Sequence, residues 1–228
     1  MSCGILIAAA GQGKRMGAGI NKQFLNINGK PILVHTLEKF QNKDWINEII
    51  IVAHPKELNE VRRLIQKFGL SVDKIVPGGN ERQESIQNGL SYIRSDWVMV
   101  HDGARPFIDP KLLDKLYIQL QTKEAVVLGV PTKDTIKIVD ETLYIKHTPD
   151  RKSLWAIQTP QAFRLSILKE AYQKAKEDGF LGTDDSSLVE RIGMKVHILE
   201  GDYRNIKITT PEDLIWAKSI LDEWSEFK

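Results

Sequence analysis

One cysteine, Cys3, occurs in 228 residues, so no disulfide can form within the chain. A reduced, intracellular setting is the expectation, with Cys3 packed as a small core residue in the first apolar run. Charge of either sign is not in excess: 32 Lys and Arg stand against 30 Asp and Glu. That balance offers no electrostatic case for nucleic acid as a partner. No apolar run approaches the ~20 residues of a membrane helix. The N-terminus has no leader pattern, because its apolar run begins at once and leads into structured sequence. The expectation is a cytoplasmic protein that binds neither membrane nor nucleic acid. Linkers, internal repeats and low-complexity tracts are missing as well, so residues 1–228 read as one domain able to bury a substantial core.

What is present is an alternation of strands and helices. "GILIAAA" (4–10), "INEIIIVA" (46–53), "DKIVP" (73–77), "DWVMVHD" (96–102) and "AVVLGVP" (125–131) are short, nearly continuous apolar runs. Such runs suit a parallel sheet covered on both faces. Segments 31–40, 55–68, 81–93 and 109–120 carry apolar residues at helical spacing, and Asp109-Pro110 supplies an N-cap followed by a first-turn proline. The pattern predicts a doubly wound, mostly parallel α/β sheet. One segment, "DTIKIVDETLYIKHTPDRKSLW" (134–155), breaks the rhythm and reads as a β-hairpin arm at about 132–155. A lone hairpin is marginal in water, so it must pack on something else, and a second copy of the chain is the expected partner. Beyond it the pattern predicts a short strand "WAIQT" and a helix from 162 to 177. A capped helix at "TDDSSLVERIG", strands "MKVHILEG" and "NIKITT", and a last helix starting at "TPED" follow.

The turn after the first strand, "GQGKRMGAGINK", holds four glycines and the cations Lys14, Arg15 and Lys22. The P-loop pattern is absent, and Gly11, Gly13 and Gly17 are too widely spaced for a dinucleotide fingerprint. A tight connection between elements is one reading, with Lys14 and Lys22 as solvated lysines. The other is a phosphate cradle, because glycine amides approach phosphate without clash. A nucleoside triphosphate brings about four negative charges, which three cations could offset in a phosphoryl transition state. Asp102, ending an apolar strand, is either a helix cap or, opposite a polyanion, the holder of a hard cation such as Mg²⁺. Since Asp109 already caps the next helix, the second reading is favoured. No Ser-His-Asp or Cys-His arrangement stands out, and His101 reads as a core or supporting residue.

"AAAGQGKRMG" with "NKQFLNINGKPIL" resembles the opening of the sugar-phosphate nucleotidyltransferases. "VHDGARPF", "DTIK", "TPDRKSLWAIQTPQAF", "TDDSSLVE" and "NIKITTPEDL" narrow the resemblance to the 2-C-methyl-D-erythritol 4-phosphate cytidylyltransferase family, over residues 4 to about 220. The resemblance implies a Rossmann-like sheet of the nucleotidyltransferase type and the joining of CTP to a sugar-alcohol phosphate, with Mg²⁺ or another hard divalent cation on Asp102. It implies catalysis by Arg15, Lys22 and Lys207, although Lys207 on pattern alone is a solvent-facing lysine. Nucleotide contacts fall to Ala9, Ala10, Gly11, Gly13, Lys14, Gly79, Asn80, Arg82, Ser85 and Gly103. Substrate contacts fall to Arg105, Thr135, Arg151, Thr159 and Thr183, with Thr135 and Arg151 reaching the substrate phosphate from a neighbouring subunit of a homodimer. Read from pattern alone, Arg151 is a surface arginine and Thr135 a strand residue, and Thr183 serves equally as a helix N-cap. The rivals are a ribitol 5-phosphate cytidylyltransferase and an inactive nucleotide-binding regulator of the same fold. The length leaves no expectation of the cyclase domain fused to some relatives.

Overall fold

The structure, a computed structural model, describes residues 2–11 and 21–226. Along the chain come β1 (Cys3–Ala9), a 3-10 turn at Lys22–Phe24, β2 (Asn26–Ile27), β3 (Lys30–Pro31) and α1 (Ile32–Glu38). Next are β4 (Ile46–Ala53), α2 (Leu58–Phe68), β5 (Lys74–Pro77), α3 (Arg82–Leu90), β6 (Trp97–Asp102), α4 (Pro110–Gln119) and β7 (Ala125–Pro131). The arm follows as β8 (Ile138–Val139) and β9 (Ile145–His147). The chain closes with β10 (Trp155–Arg164), α5 (Leu165–Glu177), α6 (Asp185–Arg191), β11 (His197–Glu200) and α7 (Pro211–Glu226).

Seven strands form one sheet in the order β11-β7-β10-β6-β1-β4-β5. Every pairing is parallel except those of β10, which runs antiparallel between β6 and β7. The apolar runs are continuous because both faces are covered. Ile5, Ile7, Ile49, Ile51 and Met99 pack under α1, α2 and α4, while Leu6, Ile50, Val52, Val98 and Val100 pack under α3, α5 and α6. Each buried side chain of this size contributes about 1.5–3 kcal/mol. Gly89 sits within α3 because the helix backbone lies hard on the sheet: an added Cβ would fall 2.4 Å from Leu6 Cδ1 and 2.6 Å from Val52 Cγ2. That close approach positions the N-terminus of α3, and Arg82 with it. No described helix is long and apolar enough to cross a membrane.

Three local expectations are corrected. The helix predicted from 162 begins at Leu165, because Gln161, Ala162 and Phe163 complete a strand paired on both edges. Residues 205–209 are irregular rather than a strand, and Asn205 is buried instead of sharing a solvent face with Lys207. Its side-chain amide is drawn inward by Gln158 Oε1 and the Thr159 carbonyl, at 3.2 and 2.9 Å. The N-cap of α6 is Asp184, not Thr183: the Asp184 carboxylate and the Ser187 hydroxyl close a reciprocal capping box.

Candidate active site

The parallel register brings Ala9, Ala53 and Pro77 level at the carboxyl ends of β1, β4 and β5, with Asp102 paired beside Ala8 on the other flank of β1. The chain winds outward in both directions from β1, which makes this the crevice where open α/β sheets bind ligands. A cavity of about 600 Å³ opens there, walled by the residues that follow each strand. Ala10 and Gly11 follow β1, His54 and Pro55 follow β4, Gly78, Gly79 and Asn80 follow β5, and Asp102 and Ala104 lie at and beyond the end of β6. Arg82, Ser85, Lys22 and Lys207 complete the wall. Gly78 permits the turn to lie against β1, since a Cβ there would stand 2.5 Å from Ala10 Cβ. The Ser85 hydroxyl accepts from the Gly79 amide at 3.0 Å and donates to the Glu81 carbonyl at 2.9 Å, so it shapes this turn.

Asp102 is the electrostatic centre. Its carboxylate meets Lys207 Nζ at 2.8 Å, Arg105 Nε at 3.4 Å and Arg82 Nε at 3.6 Å. Burial pushes its proton affinity up, but Lys207, Arg82 and Arg105 together win and hold the group well below the usual carboxylate range. Two of these cations, Lys207 and Arg82, also line the cavity, which suits an anionic ligand. Arg105 is mostly committed elsewhere, donating to the Asn205 carbonyl at 2.8 Å.

Behind Asp102 lies a closed hydrogen-bond chain. His101 Nε2 is 3.0 Å from the Arg105 carbonyl, which can only accept, so Nε2 carries the proton. Nδ1 therefore accepts from the Thr159 hydroxyl at 3.0 Å, and that oxygen accepts from the Asp102 amide at 3.1 Å. His101 is fully buried, and burial lowers its pKa to about 4. The unfolded chain, with a value of about 6.5, takes up the proton first. The stabilisation is whole above that value and is lost as pH falls towards 4. The loss from this one group amounts to about 3 kcal/mol. Denaturant unfolding of wild type and His101→Gln in EDTA at pH 7, 5.5 and 4 is expected to show a shallower fall for the variant; parallel curves would refute this account.

The remaining expected site residues divide by location. Gly13, Lys14 and Arg15 lie outside the described residues. Ala9 is buried, and its carbonyl accepts from Gln23 Nε2 at 2.6 Å. Gly103 donates its amide to the Ala8 carbonyl at 2.9 Å. Asn80 lines the cavity, with its amide on Glu84 Oε2 at 2.9 Å. Thr183 lies apart, in a side cavity of about 70 Å³ that shares Arg82 as a wall. Thr135 and Arg151 stand exposed at the base of the arm and are not among the residues lining the cavity; Arg151 Nη1 donates to the Lys133 carbonyl at 3.1 Å. Sequence reasoning missed Gln23 and Glu57. Glu57 Oε2 receives Asn21 Nδ2 at 3.1 Å and Gln23 Nε2 at 3.0 Å, clamping the turn that carries Lys22 against the cavity. Nothing local marks either residue. His54 and Pro55 could have been found, because they are the first two residues after the end of β4.

The donor set fits Mg²⁺ only together with a phosphate ligand. Among the described residues no cluster of three or more His, Cys, Asp or Glu could hold a metal. Asp102 offers a single carboxylate, and Mg²⁺ is commonly held by one or two carboxylates plus substrate phosphates and water.

Solved structures share this architecture. The 4-diphosphocytidyl-2C-methyl-D-erythritol synthase of Anaerococcus prevotii superposes with a TM-score of 0.87 at 34% identity, over 97% of this chain and 96% of that one. The 2-C-methyl-D-erythritol 4-phosphate cytidylyltransferase of Francisella tularensis gives 0.79 at 32%, over 96% and 99%. Fold and likeness together define a nucleotidyltransferase. A curated relative from Geobacillus thermodenitrificans, named 2-C-methyl-D-erythritol 4-phosphate cytidylyltransferase, is 50% identical over 95% of both chains. One from Halalkalibacterium halodurans, of the same name, is 48% identical over 98% of both. The model of the 2-C-methyl-D-erythritol 4-phosphate cytidylyltransferase family matches residues 3–223, and the chain belongs to that family.

Proposed function

We propose that the protein joins CTP to 2-C-methyl-D-erythritol 4-phosphate, giving 4-diphosphocytidyl-2-C-methyl-D-erythritol and pyrophosphate. The observation that carries the reading is Asp102 with its three cations at the carboxyl end of β6, facing a cavity built by glycine turns. A phosphate monoester is already an anionic nucleophile, so no side chain need be acylated or phosphorylated. One of its oxygens bonds to the α-phosphorus of CTP while the α–β bridging bond breaks in line, and the electron pair leaves with pyrophosphate. Lys22 and Lys207 orient the two anions and spread the charge, and Arg15 joins them in this role. The turn at Gly78–Asn80, braced by Ser85, receives the base. Asp102 would hold Mg²⁺ together with nucleotide oxygens; when bound, the ion neutralises phosphate charge.

The working unit we propose is a homodimer built through the arm. Leu143, Tyr144 and Ile145 on the arm are 81%, 75% and 61% exposed, and Ile138 and Val139 are exposed as well. A ribbon of β8 and β9 alone cannot sustain that much bare apolar surface. A symmetric exchange with a second copy buries it and carries Thr135 and Arg151 towards the partner's cavity.

The function is tested by mass spectrometry of products from CTP offered with 2-C-methyl-D-erythritol 4-phosphate or with ribitol 5-phosphate, each with Mg²⁺ or with EDTA. Only the methylerythritol substrate with Mg²⁺ is expected to yield a diphosphocytidyl product. Product from ribitol 5-phosphate alone would overturn the substrate, and full activity in EDTA would overturn the metal.

A further inference from the structure

Arg82 is anchored from behind. Its guanidinium lies between two carboxylates: Nε faces Asp102 Oδ1 at 3.6 Å, while Nη1 and Nη2 donate to Asp185 Oδ1 and Oδ2 at 3.2 and 2.7 Å. Asp185 is fully buried and also accepts the hydroxyl of Tyr172, itself only 2% exposed. The first turn of α6, which carries Asp185, is tied to β10 through Gln161. Its Oε1 accepts the Ser186 amide at 3.0 Å, and its Nε2 donates to Asp184 Oδ2 at 2.7 Å. Despite these ties the Arg82 side chain keeps 32% of its surface open and lines both the large cavity and the small one.

Stability alone does not account for the buried carboxylate, because desolvating such a pair commonly offsets its attraction. Geometry suggests another use. Asp102 already has Lys207 and Arg105, and any ligand that draws on Asp102 disturbs every cation resting on it. With Asp102 as its only carboxylate, Arg82 would lose its anchor whenever a ligand drew on Asp102. Asp185 takes Nη1 and Nη2 together, which fixes the plane of the guanidinium, while the side chain stays 32% exposed and lines the cavity. A side chain held in this way gives up less rotamer freedom when it meets an anion.

We propose that Asp185, steadied by Tyr172, is a positioning residue that holds Arg82 on the wall of the nucleotide pocket independently of Asp102. The inference rests on reading the 600 Å³ cavity as the nucleotide site. Asp102 and Lys207 are then free to change partners as ligands enter, while Arg82 stays in place.

A double-mutant cycle on CTP binding, read by titration calorimetry in Mg²⁺, tests it. Arg82→Gln and Asp185→Asn are each expected to weaken CTP binding about tenfold, or about 1.4 kcal/mol. The double variant, in which neither charge is left buried without its partner, is expected to bind no more weakly than Arg82→Gln alone. Losses that multiply in the double variant, or unchanged affinity in Asp185→Asn, would overturn the positioning role. Unchanged affinity in Arg82→Gln would instead overturn the nucleotide-site reading beneath it. If Asp185→Asn does not fold, Tyr172→Phe replaces it in the cycle, since it removes a single hydrogen bond and keeps the ring. It is expected to weaken CTP binding about threefold, or about 0.6 kcal/mol, and only when Arg82 is present; no change in affinity would overturn the proposal.

Discussion

Replacing Lys207 with alanine is expected to lower turnover about 100- to 1000-fold, the cost of removing a comparable electrostatic donor elsewhere. Lys207 is the shortest ionic contact of Asp102, at 2.8 Å, yet its side chain is 36% exposed and lines the cavity. Of the three cations on that carboxylate, Arg82 is tied to Asp185 and Arg105 to the Asn205 carbonyl. Lys207, on a flexible stem, is among the described residues the cation on Asp102 best able to swing to a phosphate. Negative charge builds on the departing pyrophosphate as the α–β bond breaks, so a lysine that meets the phosphates there would matter most in the transition state. Turnover should therefore fall far more than CTP affinity. Steady-state kinetics with calorimetric Kd values checks this. A variant keeping more than a tenth of wild-type turnover, or one whose loss lies wholly in CTP binding, would remove Lys207 from the catalytic set.

Mixing two inactive variants, Lys207→Ala and Arg151→Ala, is expected to restore about a quarter of wild-type activity after reversible dissociation. Lys207 lines the cavity, whereas Arg151 stands exposed at the base of the arm and is not among the residues lining it. If Arg151 serves the partner's site, each mixed dimer holds one site with both residues and one with neither. Random exchange makes about half the dimers mixed, and half of their sites are whole. If Arg151 serves its own subunit, every site lacks one residue and nothing returns. Absence of activity with mixed dimers confirmed by native mass spectrometry would overturn the shared site.

The strands were legible because burial on both faces leaves apolar residues at nearly every position, as at Ile49 to Val52. Asp102 was legible for a related reason: a carboxylate closing such a run marks the carboxyl end of a strand, where the crevice of an α/β sheet opens. The arm was legible too, since alternation on either side of Asp140 to Thr142 belongs to a ribbon, and the Asp140 carboxylate accepts from the Thr142 and Tyr144 amides. These signals live within a few residues of chain, where period and turn chemistry act.

Contacts between distant segments decided the rest. Asp185 reads in sequence as a second acid beside a helix cap, yet it serves Arg82 across 103 positions. Asn205 alternates in the sequence with Ile206 and Ile208, which predicts the same face as Lys207 and Thr209, but Gln158 and Thr159 draw it inside. Gln23 and Glu57 carry no local signal, and they meet because the turn at Lys22–Phe24 folds over the ends of β1 and β4. The amino-acid order by itself determined the strands β1, β4, β5, β6 and β7, the helices between them and the carboxylate at the end of β6, because periodicity and turn chemistry act over neighbouring residues. Only the tertiary structure decided which charges meet in the crevice: at distances near 3 Å an ion pair depends on packing that brings far positions of the chain together, and no short stretch of sequence encodes that packing.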